Sequence, residues 1–204
     1  MALKIYGVPK SRTFRALWAA EELGIPYENV PVDFTEGVKK ADFLAVNPVG
    51  KIPAIDDGGF HLSESLAITS YLVDKHGGAL KPATLEDRAR TLQWTLWGAT
   101  SIEQHLIDFI GNRYALPAEK RNEGVANAAE SKLPRPMDTL EEHLAGSPYL
   151  LGSEFALADL NVASLLYGAW FWKADLSKWP HVKAWLDRCL TRPGAQRARK
   201  LRES

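Results

Sequence analysis

The strongest constraint on the fold is the point at which strand signals stop. Up to about residue 78 short β-like runs alternate with helical ones, and beyond it every apolar pattern has a helical period. "LKIY" reads as a short buried strand. "SRTFRALWAAEELG" reads as a helix, with Ser11 placed to cap it and Gly24 placed to end it. "YENVPVD" is a second strand, the stretch around "VKKADFLAVN" a short irregular helix, and "IPAIDD" with "FHL" a hairpin across "DGG". "ESLAITSYLVDKHG" is a helix closed by glycine, which completes the order βαβαββα.

Past "GGALKPATL" the periodicity predicts one long amphipathic helix over "EDRARTLQWTLWGATSIEQHLIDFIGNRY". A second helical stretch runs from about Ala118 to Ala145, interrupted by "LPRP", and "FALADLNVASLLYGAWF" and "WPHVKAWLDRCLTR" follow. The expected fold class is α/β plus all-α, with a mixed domain over 1–78, a linker over 79–85 and a helical domain over 86–204. "FALADLNVASLLYGAWF" is apolar nearly all round, as the central helix of a bundle must be. Asp159 stands where its carboxylate can reach back to the Ala156 N–H, and Phe155 and Leu160 have the spacing of a hydrophobic staple.

The charges balance, with 25 Lys plus Arg against 25 Asp plus Glu, so no global field favours nucleic acid or an acidic membrane as partner. The basic run "RPGAQRARKLRES" reads as a solvated helix end. "MALKIYGVPK" lacks the apolar run of a signal peptide and no window is apolar enough to span a bilayer, which predicts a cytoplasmic protein. Cys189 is the only cysteine and excludes an internal disulfide, a thiolate metal cluster and a CxxC motif. It falls one turn after Trp185 and Leu186 on a helical apolar stripe, the setting of a buried inert thiol. The histidines, 61, 76, 105, 143 and 181, show no metal-ligand spacing, so no metal is expected.

"GKIPAI" sets the functional question. Pro53 interrupts a strand-like run, and a proline there implies an edge, a bulge or a cis bond. Each alternative leaves nearby backbone polar groups facing outward, and they need a partner.

A βαβαββα unit, an "IP" opening its third strand, "SES" before its third helix and an all-helical second domain together resemble the cytosolic glutathione S-transferases. The likeness spans the whole chain and is carried most by "NPVGKIPAI", "LSESLAITSYL", "LLGSEFALADL" and "WPHVKAWLDRCLTRP". It implies a thioredoxin-like first domain, a helical-bundle second domain and a detoxifying transferase that uses glutathione as co-substrate and needs no other cofactor. It also implies that Pro53 is cis and that Ile52 offers its backbone N–H and C=O to the cysteinyl part of glutathione, as a strand pairs with a peptide. Glu64 and Ser65 are implied at the γ-glutamyl end, although Ser63 or Ser65 could equally be a simple helix cap. Lys39 and Lys51 match positions that meet the glycyl carboxylate, and either is also an ordinary surface charge.

A free thiol has a pKa of about 8.5, and lowering it by roughly two units requires about 2.7 kcal/mol in favour of the anion. The resemblance to bacterial-type, serine-dependent members makes Ser11 the first candidate for that role, at the start of the first helix. The spacing from Ser11 to "EEL" is a residue shorter than in the common serine-class pattern, which brings Arg12 in as a further candidate. Tyr6, at the end of the first strand, is the competitor, where tyrosine-type members carry their hydroxyl. Ala156 also departs from the family, which has Ser or Thr there, and loss of that cap costs about 1 kcal/mol.

The electrophile is expected in an apolar cleft between the domains, with Trp97, His105, Phe109, Tyr114, Phe14 and Trp18 as candidate lining, most of them core by spacing. A homodimer is expected from the resemblance and from apolar surface on the helices after Glu64 and Asp87. A glutathione-dependent peroxidase or isomerase, and a non-catalytic glutathione-binding module, are the alternatives.

Overall fold

The computed structural model describes residues 2–204. Four short strands, β1 (Leu3–Tyr6), β2 (Tyr27–Val30), β3 (Ala54–Asp57) and β4 (Phe60–Ser63), form one sheet in the order β2-β1-β3-β4. β1 and β2 are parallel, so they need a crossover, which α1 (Thr13–Leu23) provides; β1–β3 and β3–β4 are antiparallel. The β3–β4 turn holds Gly58 at φ 66° and Gly59 at φ 94°, the left-handed pair that a two-residue hairpin turn demands.

Alternation along β1 separates two layers. Ile5 opposes Ile55 in register and both are fully buried, whereas Tyr6 opposes Ala54 on the other face, in a cluster with Val32, Phe43 of α2 (Ala41–Val46) and Ile52. α3 (Ser65–His76) packs beside α1 and ends at Gly77.

The chain forms two compact units. One comprises the residues up to Lys81 together with Thr191–Ser204, and the other is Pro82–Leu190. The second unit contains α4 (Leu85–Gly98), α5 (Gln104–Ile110), α6 (Glu123–Glu130), α7 (Pro134–Ala145), α8 (Leu157–Phe171) and α9 (Pro180–Leu190). The single long helix expected from periodicity is a helical run broken by π turns at Ala99–Glu103 and Gly111–Ala115. At Gly98 a Cβ would lie 2.6 Å from Leu165 Cδ1, so α4 and α8 approach too closely there for any side chain. Pro134 opens α7 at its first turn, where its missing N–H costs nothing.

α8 is buried from Leu157 through Tyr167, the all-round apolar core expected of it, and Cys189 is fully buried beside it on α9. Asp159 fastens its start. Oδ2 accepts from the Ala156 N–H at 3.0 Å, and Oδ1 accepts from the Leu150 N–H at 2.9 Å and the Trp185 indole at 2.8 Å. Burial pushes this carboxyl above its ordinary value while those three donors pull it down.

The basic C-terminal run departs from its reading as a solvated helix end. It forms α10 (Pro193–Glu203), with Ala195 and Ala198 fully buried against the first unit. Arg192 donates twice to Glu22, at 3.1 and 3.0 Å, and Arg197 donates to the Glu21 carboxylate and carbonyl, both at 2.6 Å. Among the described residues no helix is long and apolar enough to cross a membrane.

Asp159→Ala leaves three donors, two of them buried, without their acceptor, and urea unfolding should show a loss of roughly 2–4 kcal/mol. Ala156→Ser restores a cap hydroxyl to the same helix and should gain about 0.5–1 kcal/mol.

Candidate functional site

Three segments of the first unit converge on Gly7, just past β1. Its N–H donates to Val30 O at 2.9 Å, and Asn29 Nδ2 donates to Ile5 O at 2.9 Å and Gly7 O at 3.0 Å, which extends the hold of β2 beyond the ladder. Gly7 has φ 133°, and a Cβ on it would lie 2.2 Å from Thr13 Oγ1 and 3.0 Å from Ile52 Cβ. Only glycine lets the first turn of α1 and the turn before β3 meet here.

Ser11 lies in the loop between β1 and α1 and is half-buried. Its Oγ accepts the Thr13 N–H at 3.0 Å and has two acceptors for its proton, Val8 O at 2.7 Å and Thr13 Oγ1 at 2.8 Å. One hydroxyl proton serves only one of them at a time. Arg12 is exposed at the head of α1. Tyr6 faces the α2 layer, its ring 6.1 Å from that of Phe43, and burial pushes its phenol above the ordinary value.

The Ile52–Pro53 bond is cis and Pro53 is buried. Ile52 stands outside the ladder, and its backbone N–H and C=O make no hydrogen bond to another described residue. The turn is built from beneath by Asn47, only 2 % exposed, whose Nδ2 donates to Lys51 O at 2.7 Å and whose Oδ1 accepts the Val49 N–H at 3.2 Å. Lys51 is exposed beside this turn, and Lys39 forms an exposed pair with Glu36 at 2.9 Å.

At the head of α3 the backbone is strained. Glu64 has φ 69°, a region that a side-chain-bearing residue rarely adopts, and its carboxylate is exposed. Ser65 is buried behind it, and Arg15 of α1, 5 % exposed, donates from Nη1 to Ser65 Oγ at 2.9 Å. A buried guanidinium, a hydroxyl and free helix N–H groups make this end suited to a carboxylate, with an anionic side chain next to it suited to a cation. The cis-proline turn offers a peptide-like pairing edge in the same unit. The arrangement therefore fits a short peptide with an amino-acid end.

Gly7, Thr13, Arg15 and Asn47 belong to this framework and are absent from the residues singled out by sequence. A charged residue within the apolar run Phe14, Ala16, Leu17, Trp18 was the available signal for Arg15. Phe14 and Trp18 are core: their rings pack 5.6 Å apart and Phe14 exposes 2 %, which leaves it no face for a substrate. In the second unit His105 and Phe109 on α5 and Tyr114 in the following π turn stay partly exposed, with Phe109 and Tyr114 edge to face at 5.7 Å. Trp97 packs on Trp94 at 5.0 Å. Among the described residues no group of His, Cys, Asp and Glu is clustered to hold a metal ion.

The family model described as "Glutathione S-transferase, N-terminal domain" matches residues 1–74, and that described as "Glutathione S-transferase, C-terminal domain" matches residues 122–188. Glutathione S-transferase 3 of Zea mays is 37 % identical over 211 residues, covering 96 % of this chain and 92 % of that protein. The solved structure of glutathione S-transferase I from maize in complex with an atrazine glutathione conjugate superposes with a TM-score of 0.90 at 30 % identity, covering 100 % of this chain and 99 % of the other. A theta class glutathione S-transferase from Xanthomonas axonopodis pv. citri with glutathione bound gives 0.89 at 32 % identity, covering 97 % and 96 %.

Asn47→Ala removes both supports of the cis-proline turn. Thermal unfolding followed by circular dichroism should report a loss of roughly 1.5–3 kcal/mol.

Proposed function

This chain belongs to the glutathione S-transferase family, and on that premise we propose that Ser11 is the hydroxyl that stabilises the glutathione thiolate. The protein is a glutathione transferase that conjugates glutathione to an electrophile. The observation that carries the reading of its site is the convergence on Gly7, where the loop bearing Ser11 and the turn bearing Ile52 come together.

In this reading glutathione lies extended beside β3. Ile52 pairs through its N–H and C=O with the cysteinyl residue. The γ-glutamyl carboxylate sits on the Ser65 N–H and hydroxyl, in the field of Arg15, and Glu64 takes the ammonium group. Lys51, and Lys39 once released from its exposed pair with Glu36, face the glycyl carboxylate. The Ser11 O–H turns from its neutral acceptors to the sulfur, while the Thr13 N–H keeps donating to Oγ and polarises it. Arg12 adds positive charge at the head of α1. Tyr6 remains a neutral phenol at physiological pH and is the lesser candidate.

The thiol proton passes to water, the thiolate sulfur forms the new bond to the electrophilic carbon, and any leaving group departs with its electron pair. For a small hydrophobic electrophile we propose His105, Phe109 and Tyr114, which keep exposed surface. A cytoplasmic location belongs to the same reading, supported by a reduced thiol as substrate and a chain whose one cysteine forms no disulfide. So does a homodimer. Leu85, Leu92 and Leu96 form an exposed apolar stripe along α4, and Val49 and Phe60 are exposed in the first unit.

Titration of the thiolate absorbance of bound glutathione should give a thiol pKa about two units below that of the free tripeptide. Ser11→Ala should return it towards the free value and lower kcat/KM by roughly 10²-fold, with a much smaller effect from Tyr6→Phe; full turnover in Ser11→Ala ends the assignment. Sedimentation velocity should show a dimer at micromolar concentration that Leu92→Glu with Leu96→Glu converts to monomer. A monomeric wild type would remove the dimer from this reading.

A further inference from the structure

We propose that Arg202, on α10, is a positioning residue for Ser11, holding the β1–α1 loop where the serine hydroxyl reaches the glutathione sulfur. The proposal rests on the reading of Ser11 given above.

The loop has little of its own to hold it. β1 ends at Tyr6 and α1 begins at Thr13, so residues 7–12 lie outside both sheet and helix, and Pro9 has no N–H to donate. Within the loop the Ser11 N–H and Oγ both turn to Val8 O, at 3.1 and 2.7 Å. β2 holds the start of the loop at Gly7, and its serine end is held from α10. Arg202 Nη1 donates at 2.8 Å to Pro9 O and at 2.8 Å to Ser11 O, and so ties together carbonyls on either side of Lys10. The guanidinium carbon lies 5.3 Å from the centre of the Phe14 ring, a further contact that restrains the group. Ser11 O also accepts the Phe14 N–H at 3.2 Å, so Arg202, the head of α1 and the serine share one carbonyl.

α10 itself does not depend on the loop for its place. Ala195 and Ala198 are buried, a Cβ on Gly194 would lie 2.9 Å from Glu22 N, and Arg192 and Arg197 bind Glu22 and Glu21 at the far end of α1. Arg202 therefore reaches the Ser11 loop from a support fixed over the length of α1. A donor that must meet a sulfur within hydrogen-bond range loses its effect when it drifts by about 1 Å, and charge-assisted bonds to two carbonyls resist that drift.

The test is a cycle of Arg202→Met, Ser11→Ala and the double variant, with Arg202→Lys and Lys200→Met beside them. Each is scored by the thiol pKa of bound glutathione, by kcat as a function of pH and by KM for glutathione. Arg202→Met should raise the thiol pKa and lower kcat roughly 10-fold below pH 7, with recovery in alkali and KM within about threefold. Arg202→Lys, which keeps the charge and one donor group, should fall between, and Lys200→Met, which removes an exposed charge of α10 away from the loop, should keep the wild-type pKa and pH profile. The double variant should be no worse than Ser11→Ala alone, because both act through one hydroxyl.

A wild-type thiol pKa and pH profile in Arg202→Met, beside a shifted Ser11→Ala, overturns the proposal and leaves the Ser11 reading standing. An Arg202→Met effect of equal size in the Ser11→Ala background also overturns it, since Arg202 would then act independently of the serine. An unshifted Ser11→Ala brings down the Ser11 reading and this proposal with it. Should Arg202→Met fail to fold, Arg202→Lys carries the same comparison.

Discussion

The candidate site depends on a side chain that is missing. A methyl group on Gly7 would overlap Thr13 Oγ1 at 2.2 Å and press on Ile52 Cβ at 3.0 Å, so any other residue would drive apart the α1 head and the cis-proline turn. Ser11 and Ile52 lie on separate loops, each supported by separate devices. Asn47 supports the Ile52 side, and the Asn29 amide holds the carbonyls of Ile5 and Gly7 on the other. Gly7 is where those supports become one geometry, and that is why a conformation costly to other residues is kept there.

Strain and burial at the site are offset locally. Glu64 adopts a φ of 69°, but its carbonyl accepts the Ile68 N–H at 2.9 Å and starts α3, so the strained residue is also a helix head. The buried Arg15 has a hydroxyl partner in Ser65 at that same helix end. The Arg15 guanidinium and the Glu64 carboxylate thus stand at one helix end, in a chain whose total charge is balanced.

Much of this was legible in the sequence, and the rest failed for identifiable reasons. The strands were readable because alternation and glycine punctuation are local, and Asp159 because a carboxylate three residues past a helix start has one ordinary use. The π turns were not readable, since a single π turn inside a helical run leaves the apolar pattern reading as one helix. Arg15 meets Ser65 across 50 positions, and Asn47 acts on backbone groups of a turn whose shape depends on a cis bond. α10 was misread because hydropathy weighs its arginines, whereas its buried face is made of Gly194, Ala195 and Ala198, residues too small to register as an apolar stripe.

In the proposed reading of Ser11, the resting hydrogen bonds of its hydroxyl explain why the site acts only when occupied. Val8 O and Thr13 Oγ1 are neutral acceptors within 2.8 Å of Ser11 Oγ, so without a ligand the proton is already satisfied. A thiolate is an ionised acceptor, and a hydrogen bond to a charged group is roughly twice as strong as one between neutral groups. Under that proposal the hydroxyl gains by leaving its resting partner only when the sulfur is ionised, while a neutral thiol offers it nothing better. That difference between the two protonation states, rather than the strength of any single bond, is what lowers a pKa.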